Sequence, residues 1–249
     1  MAVPLDTLEE LTILLRDLNE HPSSSNDMIV NALHLVEPFY FNPLKPILDE
    51  VFAGANRTAQ DLSKPAPVIN LDLKNFAVNP KAEETLKNIF VHLMRNSLAH
   101  GIELPKVRKE YNKTDEGHIF VEANQLRLGD DLWLEILHFD DGQGLNLHAI
   151  KDKLKAAGHH DCDTWPIAKV ANHIFTSGVS TAKEVSDISG RGVGMDAIKN
   201  FIETAGGRLE LMISDKQVRA DYCQFKIRIL LPANMYTQRI GEQVFELAS

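Results

Sequence analysis

Cysteine is scarce in this chain: 2 among 249 residues, Cys162 and Cys223, too far apart for a disulfide framework. That usage suits a reducing, cytoplasmic setting. No apolar run approaches the ~20 residues of a membrane-spanning helix. The first residues carry no basic stretch leading into an apolar one, so direct membrane insertion is not expected. Positive charge is in deficit, with Lys+Arg 26 against Asp+Glu 35 and a net charge of −9. Binding of nucleic acid by broad charge neutralisation is thereby excluded, leaving room only for a local basic pocket. Internal repeats and low-complexity tracts are absent as well. What remains, 44% hydrophobic and 24% charged, is the composition of a folded protein with a sizeable core.

Two regions differ in pattern. Over residues 1–66 the apolar residues recur at helical spacing, first as Leu8, Leu11, Leu15 and Leu18. Pro22-Ser23-Ser24-Ser25-Asn26-Asp27 breaks that pattern and offers caps for a second helix. A third helical stretch is expected over 43–62, and Pro65 and Pro67 mark a boundary after it. From 67 to 232 strands and helices alternate. Strands are expected over 68–73, 119–124, 132–140, 209–214 and 224–231, and helices over 82–100, 147–157, 165–175 and 195–205. In the last strand Phe225, Ile227, Ile229 and Leu231 face one way and Lys226 and Arg228 the other. One sheet face is therefore covered by helices and one is wet, which predicts an α+β two-layer sandwich on a mostly antiparallel sheet. Residues 233–249 read as a tail or the start of a further domain. Their ending, Phe245 to Ser249, has the pattern of an interrupted strand.

Three segments carry chemistry. On the helix expected over 82–100, Leu86, Ile89, Phe90, Leu93 and Ser97 form the core stripe, and His92, Asn96 and His100 recur every four residues beside it. An Asn carbonyl oxygen there suits Mg²⁺, and the two imidazoles suit phosphate oxygens; a solvated helix face is the structural alternative. Zinc is the poorer reading, because His92 and His100 lie about 12 Å apart along the axis. In Asp140-Asp141-Gly142-Gln143-Gly144 an aspartate at a strand end precedes two glycines. Asp140 accepting from an adenine amino group would select adenine over guanine, with a capped glycine turn as the alternative. Gly190-Arg191-Gly192-Val193-Gly194-Met195 leads into a helix with backbone N–H groups free for phosphates. Its spacing matches neither the dinucleotide fingerprint nor the Walker A loop. Between these segments the stretch from Gly158 to Ser189, which contains Ser177-Gly178-Val179-Ser180-Thr181, is long, polar and poorly periodic and has the character of a lid. His159-His160-Asp161-Cys162 has no second cluster to complete a metal site and reads as a solvated loop.

In order and spacing these segments resemble the ATP-binding domain of chemotaxis histidine kinases of the CheA type. The run His92-Leu93-Met94-Arg95-Asn96-Ser97-Leu98-Ala99-His100-Gly101-Ile102-Glu103 is similar to the family's asparagine box, and Asp140 to Gly144 to its first glycine box. Residues 174–181 resemble the phenylalanine box and lid, and Ser189 to Asp196 the second glycine box. The resemblance implies the Bergerat (GHKL) fold and ATP with Mg²⁺ as its ligands. It implies that Asn96 holds the metal, that Asp140 reads adenine, and that His92, His100 and Arg95 meet or balance phosphates. Gly142, Gly144, Ser180, Thr181, Gly190, Arg191, Gly192, Val193 and Gly194 would line the nucleotide, with Leu145, Ile174 and Met195 as apolar neighbours of the base.

ATPases of this class carry a glutamate four residues before the asparagine, where it activates water. This chain has His92 there, which favours transfer of the γ-phosphoryl group to a histidine over hydrolysis. Implied partners are a separate histidine phosphotransfer domain, a receptor or coupling protein, and a second copy through the N-terminal helices. Two departures are Ala99, where the family commonly has Asp, and Arg219-Ala220-Asp221-Tyr222-Cys223 in place of a glycine-threonine turn. They motivate a nucleotide-binding pseudokinase as the alternative, with a hydrolysing ATPase behind it.

Overall fold

The computed structural model describes residues 4, 7, 10–14, 25–176, 195–219 and 221–238, and the side chains of all of these except 25–27, 30, 33, 34 and 215–219. Its centre is a mixed sheet. β2 (Val68–Asp72) pairs parallel with β4 (His118–Leu128), which pairs antiparallel with β5 (Asp131–Asp140) across the two-residue turn Gly129-Asp130. β5 pairs with β8 (Tyr222–Pro232), and β7 (Arg208–Arg219) pairs with β8 as well. The pleat divides the residues as the alternation in sequence requires. Ile119, Val121, Ala123, Leu134, Ile136, Ile227, Ile229 and Leu231 are buried in the main core. On the other face Arg228 bridges Glu135 (2.7 Å) and Glu210 (3.0 Å), and Phe120 stacks on Phe139 at 4.9 Å between centroids.

Helix α4 (Pro80–Asn96) lies across the covered face and buries Leu86, Ile89, Phe90 and Leu93. It starts where it does for three local reasons. Pro80 fits the first turn, the Asn79 side chain accepts from the Ala82 N–H at 2.9 Å, and Glu83 meets the positive end of the helix. Asn79 also donates its amide to the Asn234 carbonyl at 3.2 Å, tying the cap to the end of the sheet. Asn79→Ala is therefore expected to cost about 1–2 kcal/mol, read as a lower midpoint in urea unfolding with an unchanged slope. An unaltered midpoint would show that the cap carries no stability. Helix α8 (Met195–Ala205) adds Ile198 and Ile202 to the same core.

Three expectations change in detail. The stretch 43–62 is two helices, α2 (Leu44–Phe52) and α3 (Ala55–Asp61), separated at Ala53-Gly54, where glycine weakens helix propagation. The stretch 165–175 is shorter, because Pro166 caps α7 (Ile167–Asn172) and the chain tightens into a 3₁₀ turn over His173–Phe175. The helix expected to run to residue 100 ends as an α-helix at Asn96. A π-type turn comes next, in which the Ile102 N–H reaches the Ser97 carbonyl five residues back at 2.7 Å.

The helices before Pro65 pack into the same core as α4 and the central sheet. Leu44, Ile47, Leu48, Val51 and Phe52 belong to the main apolar cluster, with the Phe52 ring edge-on to Phe90 at 6.2 Å. A second, small sheet gathers distant segments, with β1 (Asn42–Pro43) and β9 (Tyr236–Gln238) flanking β3 (Phe76–Val78). Packing thus runs across the expected boundary at 66/67 and takes in residues 233–238 of the expected tail. Ahead of these, α1 (Ser25–Tyr40) begins at the predicted break. No helix among the described residues is long and apolar enough to cross a membrane.

Candidate functional site

The site forms where β5 ends beneath the end of α4. After Asp140 the chain leaves the edge of β8 and returns to it as β6 (Leu145–Asn146), with Leu145 opposite Cys223. The excursion from Asp141 to Gly144 puts main-chain groups, rather than side chains, against the helix end. A Cβ on Gly142 would stand 2.2 Å from the Gly101 carbonyl oxygen, so only glycine allows this approach. Gly144 has φ +81, and a Cβ there would lie 2.3 Å from the Cys223 carbonyl oxygen. The Gln143 N–H donates to the Gly101 carbonyl at 2.9 Å and its amide to the His100 carbonyl at 2.7 Å.

Asp140 sits inside this junction. Its carboxylate accepts from the Ser97 hydroxyl at 2.6 Å and from the Gly142 N–H at 3.0 Å, both neutral donors. A Cβ on Gly101 would come within 2.7 Å of the same carboxylate. Burial raises the Asp140 carboxyl above the usual carboxylate range, Ser97 and Gly142 act in the opposite direction, and the nearby Asp141 and Glu103 add to the rise. The residue as a whole is half-buried. A desolvated acceptor is suited to a ligand that brings its own N–H donor.

Asn96 ends α4 at an exposed position, and its amide nitrogen donates to the Met195 sulfur at 3.4 Å. That contact directs the amide and joins α4 to the start of α8. His92 stands one turn earlier and is half-buried; burial lowers its pKa, and the neighbouring Arg95 lowers it further. Burial, with Lys64, also lowers that of His100. Both effects favour the neutral imidazole, in which one ring nitrogen carries an N–H that can donate to a phosphate. The permanent charge at this end of the helix comes from Arg95 and Lys64.

The apolar neighbours do not share one cluster. Met195 packs on the main core, whereas Leu145 and Ile174 pack on a second cluster with Ile150, Leu154, Cys162 and Val170. Ser180, Thr181, Gly190, Arg191, Gly192, Val193 and Gly194 lie outside the described residues, as do residues 177–189 of the lid stretch. His159 packs against Trp165 and His173, at 5.4 and 5.9 Å between centroids. Among the described residues no group of three or more His, Cys, Asp or Glu is placed to hold a metal.

Sequence reasoning overlooked two contributors. Ser97, read only as part of the core stripe, is the direct partner of Asp140, and no spacing rule links positions 43 residues apart. Lys64, in the predicted boundary, donates to the carbonyls of Leu98, Ala99 (3.3 Å) and Ile102 (2.7 Å) and so caps the end of the helix. A basic residue immediately before Pro65 was its only signal.

The chain is similar in sequence to known proteins. The family model described as histidine kinase-, DNA gyrase B- and HSP90-like ATPase matches residues 81–234. The chain is 32% identical over 233 residues to the chemotaxis protein CheA of Klebsiella aerogenes, covering 90% of this chain and 34% of that protein. To the chemotaxis protein CheA of Salmonella typhimurium it is 34% identical over 225 residues, covering 87% and 32% respectively. It thus spans about a third of the length of these relatives. Among solved structures, the mycobacterial sensor histidine kinase MprB superposes with a TM-score of 0.49 at 15% identity, over 77% of this chain and 97% of that one. The chain belongs to the histidine kinase-, DNA gyrase B- and HSP90-like ATPase family.

Proposed function

We propose that this chain binds ATP with Mg²⁺ and passes the γ-phosphoryl group to a histidine on a separate phosphotransfer domain, in cytoplasmic chemotaxis signalling. The observation that carries the reading is Asp140, a desolvated carboxylate held by two neutral donors at the end of β5, in contact with the turn that follows Asn96. Asp140 accepts from the adenine amino group. Gly142 and Gly144 keep side chains out of the base's path, and Met195, Leu145 and Ile174 border it. His92 and His100 donate to phosphate oxygens and Arg95 balances their charge. Ser180, Thr181, Gly190, Arg191, Gly192, Val193 and Gly194 complete the phosphate cradle by their motif.

Mg²⁺ fits the residues present. Asn96 directs its amide nitrogen to Met195, and its carbonyl oxygen would be the atom to hold the metal. Mg²⁺ is commonly held by one or two protein oxygens, with phosphate and water supplying the rest. Once bound, the ion would neutralise charge on the phosphates. The reaction itself is an in-line displacement. A neutral imidazole nitrogen of the acceptor forms the new P–N bond, the bond from the γ-phosphorus to the β–γ bridging oxygen breaks, and ADP departs with that electron pair. His92 occupies the position where hydrolysing relatives carry a glutamate, so no carboxylate is provided there to activate water. A coupling protein and a second copy bound through the N-terminal helices are the further partners in this reading.

The test uses γ-labelled ATP and Mg²⁺ with the chain alone, and again with a chemotaxis kinase phosphotransfer domain added. Label is expected on the added domain only, as an acid-labile and base-stable phosphoramidate. Label accumulating on the chain itself, or rapid multiple-turnover phosphate release, would refute the transfer reading. Tight ATP binding with no transfer to any acceptor would select the pseudokinase instead, the reading that Ala99 favours.

A further inference from the structure

Next to Asp140 lies a buried set of charged side chains centred on Arg108. Arg108, on the short helix α5 (Pro105–Glu110), has a side chain that is 0% exposed. All five of its guanidinium N–H donors are used. Nη1 meets Asp141 Oδ1 at 3.1 Å and Glu103 Oε2 at 3.3 Å. Nη2 meets Asp141 Oδ2 at 2.8 Å and the Glu116 carbonyl at 2.9 Å, while Nε meets the Thr114 carbonyl at 2.7 Å. Lys113 closes the set from the other side, donating to Glu103 Oε1 at 3.0 Å and to the carbonyls of Asp141 (2.6 Å) and Gly142 (2.9 Å). Asp141 Oδ1 also accepts from the His118 N–H at 2.9 Å.

Two features distinguish this arrangement from an ordinary buried ion pair, which contributes little net stability. First, Arg108 and Lys113 pair directly with Glu103 and Asp141, whereas the hydrogen bonds to Asp140, next in sequence to Asp141, come from the neutral donors Ser97 and Gly142. Second, the grip falls on the main chain of Asp141 and Gly142, and the Gly142 N–H is one of the two donors to Asp140. A hydrogen bond from adenine to Asp140 needs the carboxylate placed to within a few tenths of an ångström. The loop that places it is glycine-rich and has little stiffness of its own.

We infer that Lys113 and Arg108 are positioning residues for adenine selectivity, holding the Asp141-Gly142 main chain and absorbing the charge of Asp141 and Glu103 so that Asp140 is the acceptor presented to the base. The inference rests on the adenine-reading role given to Asp140. Lys113 is the better test site, because removing it leaves Arg108 and the packing around it in place.

The experiment compares affinities for ATP and for purine riboside triphosphate, which lacks the 6-amino group, by calorimetry on the parent chain and on Lys113→Met. The parent is expected to prefer ATP by about tenfold or more, the value of one charge-assisted hydrogen bond. Lys113→Met should lose about tenfold in ATP affinity and less than about twofold for the analogue, so the preference collapses toward one. Equal loss for both ligands would overturn the inference, since a merely structural lysine does not sense the amino group. If Lys113→Met fails to fold, Lys113→Gln replaces it, uncharged but still able to donate to one carbonyl, and is judged by the same ratio. A parent that binds both ligands equally would instead refute the adenine role of Asp140, a result distinct from failure of the lysine.

Discussion

Asp140→Ala is expected to weaken ATP binding by about tenfold to a hundredfold, the loss of one hydrogen bond to a charged acceptor worth roughly 1.5–3 kcal/mol. Calorimetric titration with and without Mg²⁺ reads this directly. The preference for ATP over GTP should vanish with it, because guanine has an oxo group where adenine has a donor. The fold should survive the change. Burial raises the Asp140 carboxyl above its ordinary range, so its ionised form costs the folded state stability at neutral pH. Removing it is expected to leave the unfolding midpoint of the nucleotide-free chain unchanged or higher. Loss of affinity without loss of stability is the signature of a group kept for binding. ATP affinity equal to that of the parent would remove Asp140 from the site and, with it, the proposed function.

Acid should destabilise the chain through a residue two positions earlier. His138 is 4% exposed on β5, facing the ring of Phe90 at 6.0 Å, and its Nε2 atom has no hydrogen-bond partner among the described residues. Burial lowers its pKa to about 4. The unfolded chain takes up a proton near pH 6.5 and the folded chain does not, so the stability carried by the neutral imidazole is complete above pH 6.5 and declines as the pH falls. The loss reaches roughly 2 kcal/mol by pH 5 and approaches about 3 kcal/mol near pH 4, where the folded imidazole also begins to charge. Asp140 contributes with the opposite sign, since its folded carboxyl holds a proton to a higher pH than in the unfolded chain. The histidine's share is therefore the difference between the parent and His138→Leu, measured by urea unfolding at pH 7, 6 and 5. The leucine variant should gain on the parent steadily as the pH drops. Parallel pH dependences would show that His138 is solvated or partnered.

The main elements of the fold were legible because their signals are local. Alternation in β4, β5 and β8 sorts buried from exposed residues two at a time, and the helical stripe of α4 predicted five buried positions, Leu86, Ile89, Phe90, Leu93 and Ser97, all of which are buried. What escaped was short or non-periodic. β1, β3, β6 and β9 have two or three residues each, too few to show a period; β1, β3 and β9 pair with one another across distant parts of the chain, and β6 pairs with β8. The π-type turn at Ser97–Gly101 is a departure from helical spacing that its own residues do not announce.

For the site, the sequence by itself determined the chemical inventory: Asn96 with His92 and His100 at four-residue spacing, Asp140 at a strand end, and glycines where a bulky residue would block approach. These depend on residue type and on spacing within one element, which a linear chain records. Only the tertiary structure decided the partnerships. Ser97 meets Asp140, Lys64 caps the helix that carries His100, and Arg108 and Lys113 neutralise Glu103 and Asp141. Each joins segments separated in the chain, and each is held by the burial that makes an unpaired charge or carbonyl costly. That cost is a property of the packed interior, and it arises only once the sheet and α4 have closed on each other.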